Sequence, residues 1–391
     1  MWLTGKHKVI LLAIIKLMSR FFYLFLIIGI FGLAVYFANP KTPFNSIQNI
    51  SDKLDSVSEP KNEPFEVFTT GLDVPWSIAF LPSGDLLVTE RKGTLRLVSK
   101  DGVLQNKPVA VISDVKQIGE GGLHGITLHP DFSSNNFVYV YFTYDGSGGN
   151  TRNRVVRFTF KNNGFVDEKI IVDDIPGASN HDGGRIKFGP NKFLYITTGD
   201  AQEPSLSQNK NSLAGKILRV TDEGKPASGN PFGNRTYSYG HRNPQGITWD
   251  DKGNIWETEH GPSGIWPNCC QDELNKIEMG KNYGWPDFVG DEKNQGVISP
   301  VIHSGKDIWA PGDVEFLDGS LYFTGLRGEA LYKYNIQNKK LETFFKGEFG
   351  RLRDVVLGPD GLLYVTTSNR DGRGAPKEGD DKILKINPKD L

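Results

Sequence analysis

Pairs of short apolar stretches, joined by polar turns, recur along most of the chain. Each pair has an apolar stretch, a turn carrying Pro, Asp, Asn or Gly, and a second apolar stretch ending near a threonine. Apolar runs rich in β-branched and aromatic residues and bounded by turn residues are typical of β-strands. The pairs begin at Pro75, His124, Gly183, Asn243, Ala310 and Leu352. The pattern therefore predicts six β-hairpins.

The spacing of these hairpins predicts how they are arranged. They lie roughly 40 to 70 residues apart, in the range of β-propeller blades. Further strand-like segments follow several hairpins, at residues 93–99, 153–160 and 216–220. Four strands in each of six blades account for the rest of the chain. We predict an all-β fold, a single six-bladed β-propeller over residues 64–391.

The N-terminal part of the chain has a different pattern. Residues 21–38 form an uncharged apolar run that is long enough to span a membrane, and basic residues precede it. The positive-inside rule predicts a transmembrane anchor helix, with residues 1–20 in the cytoplasm and the propeller on the extracytoplasmic side. A cleaved signal peptide is the alternative, although the run is long for one and Tyr36 is bulky where a small residue is preferred. The polar residues 39–63 predict a tether.

Composition and charge narrow the class of partner. The chain has 45 Lys and Arg against 46 Asp and Glu, a formal net charge of −1, which argues against nucleic acid as a partner. The only two cysteines are adjacent, Cys269 and Cys270. They are either two separate thiols or, in an oxidising compartment, a vicinal disulfide.

Arginines occur at the edges of several predicted blades. They are Arg242 before the fourth hairpin, Arg327 after the fifth, and Arg351 and Arg353 before the sixth. Loops at one end of a propeller line a common funnel, so these side chains are expected to converge. The planar guanidinium fork binds carboxylates and phosphates, which predicts an anionic ligand in the funnel.

His181 and Asp200 lie at the two ends of the third hairpin. A carboxylate that holds one ring nitrogen fixes the histidine tautomer and raises the basicity of the other nitrogen. Such a pair can remove a proton from a hydroxyl group. A metal site or a serine nucleophile would also use a histidine, but the chain has no G-x-S-x-G signature and no paired-histidine spacing.

Four segments together resemble one family. They are "NHDGGRIKFGPNKFLYITTGDA", "YGHRNPQGITWDDKGNIWETEHGP", "DELNKIEMGKNYGWP" and "RLRDVVLGPDGLLYV". They are similar to the quinoprotein aldose dehydrogenases, the soluble glucose dehydrogenase-like or glucose/sorbosone dehydrogenase group. The resemblance extends from about residue 65 to the C-terminus. It implies a six-bladed propeller that binds pyrroloquinoline quinone (PQQ) and calcium and oxidises aldose sugars to lactones.

The resemblance also implies a role for individual residues. His181 matches the catalytic base and Asp200 its partner. Backbone carbonyls of Gly261 and Pro262 match calcium ligands, and Glu120 stands where glucose enzymes carry a glutamine that contacts the sugar. The matches to cofactor-binding positions are Arg242, Asn243, Gln245, Arg351 and Arg353, with Arg327 in place of a lysine.

Two other functions fit a propeller. A lactonase or esterase with a metal in the channel could use Asp200, Asn243 and Glu120 as ligands, but it would leave the four arginines unexplained. A non-enzymatic propeller could bind a glycan or a protein. Neither the preferred aldose nor the electron acceptor follows from the sequence.

Overall fold

The computed structural model describes residues 64–262 and 269–391. The apolar stretches form strands because their alternate side chains can be buried between neighbouring sheets. In the described residues, 24 strands make six antiparallel sheets of four strands each. The prediction of an all-β, six-bladed propeller is confirmed, and the compact unit spans Pro64–Leu391.

Within blades 1 to 5, the strands are neighbours in chain order. They are β2 (Pro75–Phe80), β3 (Leu86–Glu90), β4 (Thr94–Val98) and β5 (Ala110–Val111) in blade 1; β6 (Leu123–Leu128), β7 (Phe137–Asp145), β8 (Thr151–Lys161) and β9 (Gly164–Pro176) in blade 2; β10 (Ile186–Phe188), β11 (Leu194–Thr198), β12 (Lys216–Val220) and β13 (Thr236–Tyr239) in blade 3; β14 (Pro244–Trp249), β15 (Ile255–Glu259), β16 (Glu273–Ile277) and β17 (Ile302–His303) in blade 4; and β18 (Pro311–Leu317), β19 (Ser320–Gly325), β20 (Ala330–Asn335) and β21 (Leu341–Phe344) in blade 5.

Blade 6 combines the two ends of the described domain. It contains β22 (Leu352–Leu357), β23 (Leu363–Thr367), β24 (Ile383–Ile386) and the N-terminal strand β1 (Phe65–Thr69). Strand β1 pairs with β24, for example Phe65 with Ile386 and Val67 with Leu384. This pairing joins the two ends of the domain in one blade, in which β1 is the outermost strand and covers the edge of β24.

The first strands of successive blades, β2, β6, β10, β14, β18 and β22, contact one another around the ring. Apolar side chains fill the space between neighbouring blades. Leu87 and Leu95 of blade 1, for example, belong to one buried cluster with Leu123, Val140 and Phe142 of blade 2. Burial of such side chains is the main favourable term in folding. It holds the loops at the ends of these strands in fixed positions around the centre.

The structure has little helix. The only α-helix among the described residues is α1 (Phe132–Asn135), and short 3₁₀ turns occur at Ser147–Gly149, Pro204–Ser207 and Pro388–Asp390. None of the helices in this part of the chain is long and apolar enough to cross a membrane. The predicted anchor at 21–38 lies outside the described residues, as do segments 1–20 and 39–63.

Candidate active site

Loops from all six blades surround a cavity of about 650 Å³, a size that is usual for small-molecule sites. It brings together nine of the residues singled out in the sequence: Glu120, His181, Arg242, Gln245, Gly261, Pro262, Arg327, Arg351 and Arg353. Asp200 and Asn243 are fully buried and bind residues of the cavity wall. The residues chosen from the sequence therefore lie together at and behind the wall of one cavity.

His181 and Asp200 form a hydrogen-bonded pair. Nδ1 of His181 lies 2.7 Å from Oδ1 of Asp200. The Asp200 carboxylate also accepts hydrogen bonds from Trp285 Nε1, at 2.8 Å, and from the Gln202 backbone N–H, at 2.8 Å. An ionised carboxylate can only accept, so Nδ1 is the donor in this pair, and Nε2 is the ring nitrogen left to accept a proton in the neutral tautomer. His181 is 17% exposed, which leaves its ring accessible from the cavity.

The backbone of His181 is held in an uncommon conformation. Its φ is +65°, a value in the left-handed region that residues other than glycine rarely adopt. Its N–H donates to Oε2 of Glu120 at 3.1 Å, and its carbonyl accepts from Ala201 N–H at 3.2 Å. Gly199 packs so closely against this carbonyl that a Cβ there would collide with it. These contacts offset the backbone strain and fix the histidine.

Asn243 connects the histidine turn to blade 4. Its Oδ1 accepts from the Gly183 N–H and from Gln245 Nε2, both at 3.1 Å. Its Nδ2 lies 3.4 Å from Nδ1 of His260, whose Nε2 lies 2.9 Å from the Pro311 carbonyl. Nε2 donates to that carbonyl, and burial lowers the pKa of the His260 ring. Asn243 is therefore buried outside the cavity, and its side chain holds residues that line it.

Three of the four predicted arginines are buried in the wall, and Arg327 is exposed at the mouth. Arg351 Nε donates to Oδ2 of Asp371 at 2.8 Å, and Arg353 Nη2 lies 3.9 Å from the same oxygen. Burial lowers the pKa of Arg353 to about 9 and also lowers that of Arg242. One carboxylate shared by two guanidinium groups leaves excess positive charge, which suits a bound anion.

The loop that contains Gly261 and Pro262 is held by the buried carboxylate of Asp272. Asp272 Oδ1 accepts the Gly261 N–H at 2.9 Å, and Oδ2 accepts the N–H groups of Trp309 and Ala310, each at 2.8 Å. A Cβ on Gly261 would collide with the Cys270 carbonyl.

Cys269 and Cys270 are joined in a disulfide, so the structure has the vicinal bridge rather than two free thiols.

Glu120 is charged and firmly held. Burial opposes its ionisation, but His260, Arg373 and the His181 N–H together lower the pKa of its carboxyl to about 2. Oε1 accepts from Arg373 Nη1 at 2.6 Å. The structure therefore places this predicted substrate residue beside His181, with both carboxylate oxygens accepting hydrogen bonds.

Four residues of the site were not predicted from the sequence. Trp285 donates a hydrogen bond to Asp200, and the centre of its ring lies 5.3 Å from the guanidinium carbon of Arg242. The ring centre of Trp76 lies 5.7 Å from the guanidinium carbon of Arg353. Asp272 braces the Gly261 loop, and Arg373 binds Glu120. Trp285 and Asp272 both lie within the segment "DELNKIEMGKNYGWP", whose resemblance to the family could have drawn attention to them. Nothing local in the sequence marks Arg373.

A six-bladed propeller whose central cavity holds a histidine–aspartate pair and several arginines is suited to bind an anionic small molecule. The family described as Glucose / Sorbosone dehydrogenase matches residues 72–376. The chain belongs to this family of oxidoreductases, and the sequence-based expectation of that family is confirmed.

Relatives with known structures agree with this assignment. A putative oxidoreductase (glucose dehydrogenase) from Thermus thermophilus is 44% identical, with a TM-score of 0.77 over 83% of this chain and 99% of that one. The PQQ-bound aldose sugar dehydrogenase of Streptomyces coelicolor is 41% identical, with a TM-score of 0.76 over 82% and 96%. The aldose sugar dehydrogenase YliI of Escherichia coli is 31% identical over 83% of this chain and 92% of its own length.

Proposed function

We propose that this protein is a PQQ- and calcium-dependent aldose dehydrogenase that oxidises the C1 hydroxyl of aldose sugars to lactones. The observation that carries the proposal is the pair of His181 and Asp200 in a cavity with four arginines. A base and an anion-binding wall in one cavity are the two parts that this reaction needs from the protein.

The arginines suit PQQ, which carries three carboxylates. Arg242, Arg351 and Arg353 are buried, and the lowered pKa values of Arg242 and Arg353 reflect loss of solvation. Carboxylates that bind there replace the missing hydration with charge-assisted hydrogen bonds. Arg327, exposed at the mouth, supplies a fourth cation. PQQ held by these arginines would supply the acceptor for the hydride from C1.

Gly261 and Pro262 suit calcium. Calcium prefers oxygen ligands, including backbone carbonyls, and the loop that carries these two residues lines the cavity. Asp272 holds this loop through the Gly261 N–H. Gln245, which also lines the cavity, is held through Asn243 and offers a further amide oxygen.

His181 is the general base in this proposal. Asp200 holds the proton on Nδ1, so Nε2 can take the proton of the C1 hydroxyl while the C1 hydrogen leaves as hydride. The imidazolium that forms is stabilised by the buried carboxylate of Asp200. Positioned base catalysis of this kind typically contributes about 10²- to 10⁴-fold to the rate.

Glu120 is the proposed sugar contact, since its ionised carboxylate lines the cavity next to the base. Carboxylates accept hydrogen bonds from sugar hydroxyls through lone pairs that remain free.

For the location of the enzyme, we propose the arrangement predicted from residues 21–38, an N-terminal membrane anchor with the propeller on the extracytoplasmic side.

The test is reconstitution of the purified chain with PQQ and calcium, followed by an aldose. The expected result is saturable PQQ binding and a change of the absorption spectrum to that of the reduced cofactor. Matched samples without PQQ test hydrolysis of lactones and esters in the presence of calcium. Hydrolysis without quinone reduction would refute the dehydrogenase and favour a lactonase. No reaction in either sample would favour a binding protein.

A further inference from the structure

Arg373 links three blades across the mouth of the cavity. It belongs to the loop between β23 and β24 in blade 6. Its Nη1 donates to Glu120 Oε1 at 2.6 Å, and its Nη2 donates to Asn180 Oδ1 at 2.8 Å. Glu120 precedes blade 2 and Asn180 precedes blade 3. The two contacts use the fork of the guanidinium, a geometry that a single surface ion pair lacks.

Both partners of Arg373 adjoin His181. Glu120 accepts the His181 N–H through its other oxygen, and Asn180 is the preceding residue in the chain. His181 has a φ of +65°, so its backbone depends on surrounding contacts to remain in place. Arg373 therefore holds two groups next to the histidine. One is the Glu120 carboxylate that accepts the His181 N–H, and the other is the preceding residue, Asn180.

The backbone of Arg373 is hydrogen-bonded to Asp371, the carboxylate that also binds Arg351. Its backbone N–H donates to Asp371 Oδ1 at 2.9 Å, and Oδ2 of the same carboxylate accepts from Arg351 Nε at 2.8 Å. The Arg373 side chain is 52% exposed and lines the cavity. A continuous set of hydrogen bonds thus runs from Arg351 through Asp371, Arg373 and Glu120 to the backbone of His181.

We propose that Arg373 is a positioning residue, which sets the distance and orientation of the His181 base relative to the arginines that hold the cofactor. This inference rests on the proposed function. Arg373 acts through Glu120 and Asn180 and takes no proton itself. Because the reacting groups need close alignment, a small displacement of the base lowers the rate far more than it lowers affinity.

The test compares Arg373→Ala, Arg373→Lys and the matched control Arg370→Ala in the full chain. Arg370 lies on the same loop, is exposed and binds the carbonyl of Asp380 in that loop. With PQQ and calcium, Arg373→Ala is expected to lower kcat by about 10- to 100-fold with PQQ affinity unchanged within a few-fold. Arg373→Lys restores the charge but only one of the two contacts, so kcat should recover in part. The control should match the wild type.

A second measurement needs no cofactor and no sugar. Amide hydrogen exchange of the full chain should be faster at residues 177–183 in Arg373→Ala, and unchanged there in Arg370→Ala. Unchanged exchange at these residues in Arg373→Ala would overturn the positioning role, as would a wild-type kcat. If the wild type fails to oxidise any aldose, the proposed function is wrong, and hydrogen exchange alone decides whether Arg373 holds the histidine turn.

Discussion

At the residue scale, the proposed reaction depends first on His181. The variant His181→Gln keeps a polar side chain of similar size but cannot act as a base at Nε2. Sugar oxidation is expected to fall by about 10²-fold or more, whereas PQQ affinity should change only a few-fold. Steady-state kinetics and PQQ titration measure the two effects separately. Turnover at the wild-type rate would show that His181 is not the base.

The buried arginines should affect binding of the cofactor. Arg351→Ala and Arg353→Ala are each expected to weaken PQQ binding by about 2 kcal/mol, the range for hydrogen bonds to charged groups. Because both guanidinium groups lie near Oδ2 of Asp371, the effects in the double variant should not add. Equilibrium titration with PQQ checks this, with Arg370→Ala as the control. Unchanged affinity in both single variants would mean that these side chains do not bind the cofactor.

Asp182, next to the base, should make stability depend on pH. Burial raises the pKa of its carboxyl from 3.8 to about 7, and its Oδ2 has no hydrogen-bond partner within the described part of the chain. Between these pH values the unfolded chain loses this proton and the folded chain keeps it, so stability falls as pH rises. Asp182→Asn should reduce this fall, measured as the unfolding free energy in urea from pH 4 to 8. An identical slope in both proteins would contradict the assignment.

The sequence was informative about residues whose chemistry is local. His181, Asp200 and the four arginines could be chosen because each stands at a hairpin edge with a side chain suited to catalysis or anion binding. Arg373 could not be chosen in this way, since its partner Glu120 lies 253 residues away in the chain. The roles of Trp76 and Asp272 likewise depend on contacts between different blades.

At the element scale, the loop that carries Gly261 and Pro262 gives a matched pair of variants. If its carbonyls bind calcium, Pro262→Ala keeps both ligands and should retain activation by calcium. Gly261→Ala adds a Cβ that would collide with the Cys270 carbonyl, so it should shift the loop and raise the calcium concentration needed for activity. Titration of chelator-treated enzyme with calcium measures this. Full activity of the chelated wild type, or a normal response of Gly261→Ala, would contradict the site.

The hairpins could be predicted because each has its own apolar pattern and turn residues. The closing pair could not, since β1 consists of only Phe65–Thr69 and pairs with β24 at the far end of the chain. No local pattern shows which distant strand will complete a sheet. The short strands β5 and β17 each have two residues and are too brief for a periodic signal.

At the scale of the whole molecule, the closing strand decides where the chain can be cut. Removal of residues 1 to 60 leaves β1 intact and should yield a soluble, active propeller, because the described core begins after this point. Removal of residues 1 to 70 also deletes β1 and exposes β24 as an edge, so it should lower the melting temperature or prevent folding. Equal stability of the two truncations would contradict this role of β1.

The full-length chain should remain with membranes after carbonate washing, since residues 21–38 are long and apolar enough to span a bilayer. The chain without residues 1 to 60 should be released, and serves as the control. A full-length chain found in the medium with its N-terminus near residue 39 would instead indicate a cleaved signal peptide.

The most direct test of the central claim is a rapid-mixing, single-turnover measurement on protein loaded with PQQ and calcium. If hydride leaves from C1, an aldose bearing deuterium at C1 should reduce the bound cofactor several-fold more slowly than the unlabelled sugar, whereas deuterium at C2 should have no such effect. Both sugars should also react slowly with His181→Gln. The absence of cofactor reduction, or equal rates for the C1-deuterated and unlabelled sugars, would contradict the claim that this cavity removes hydride from C1.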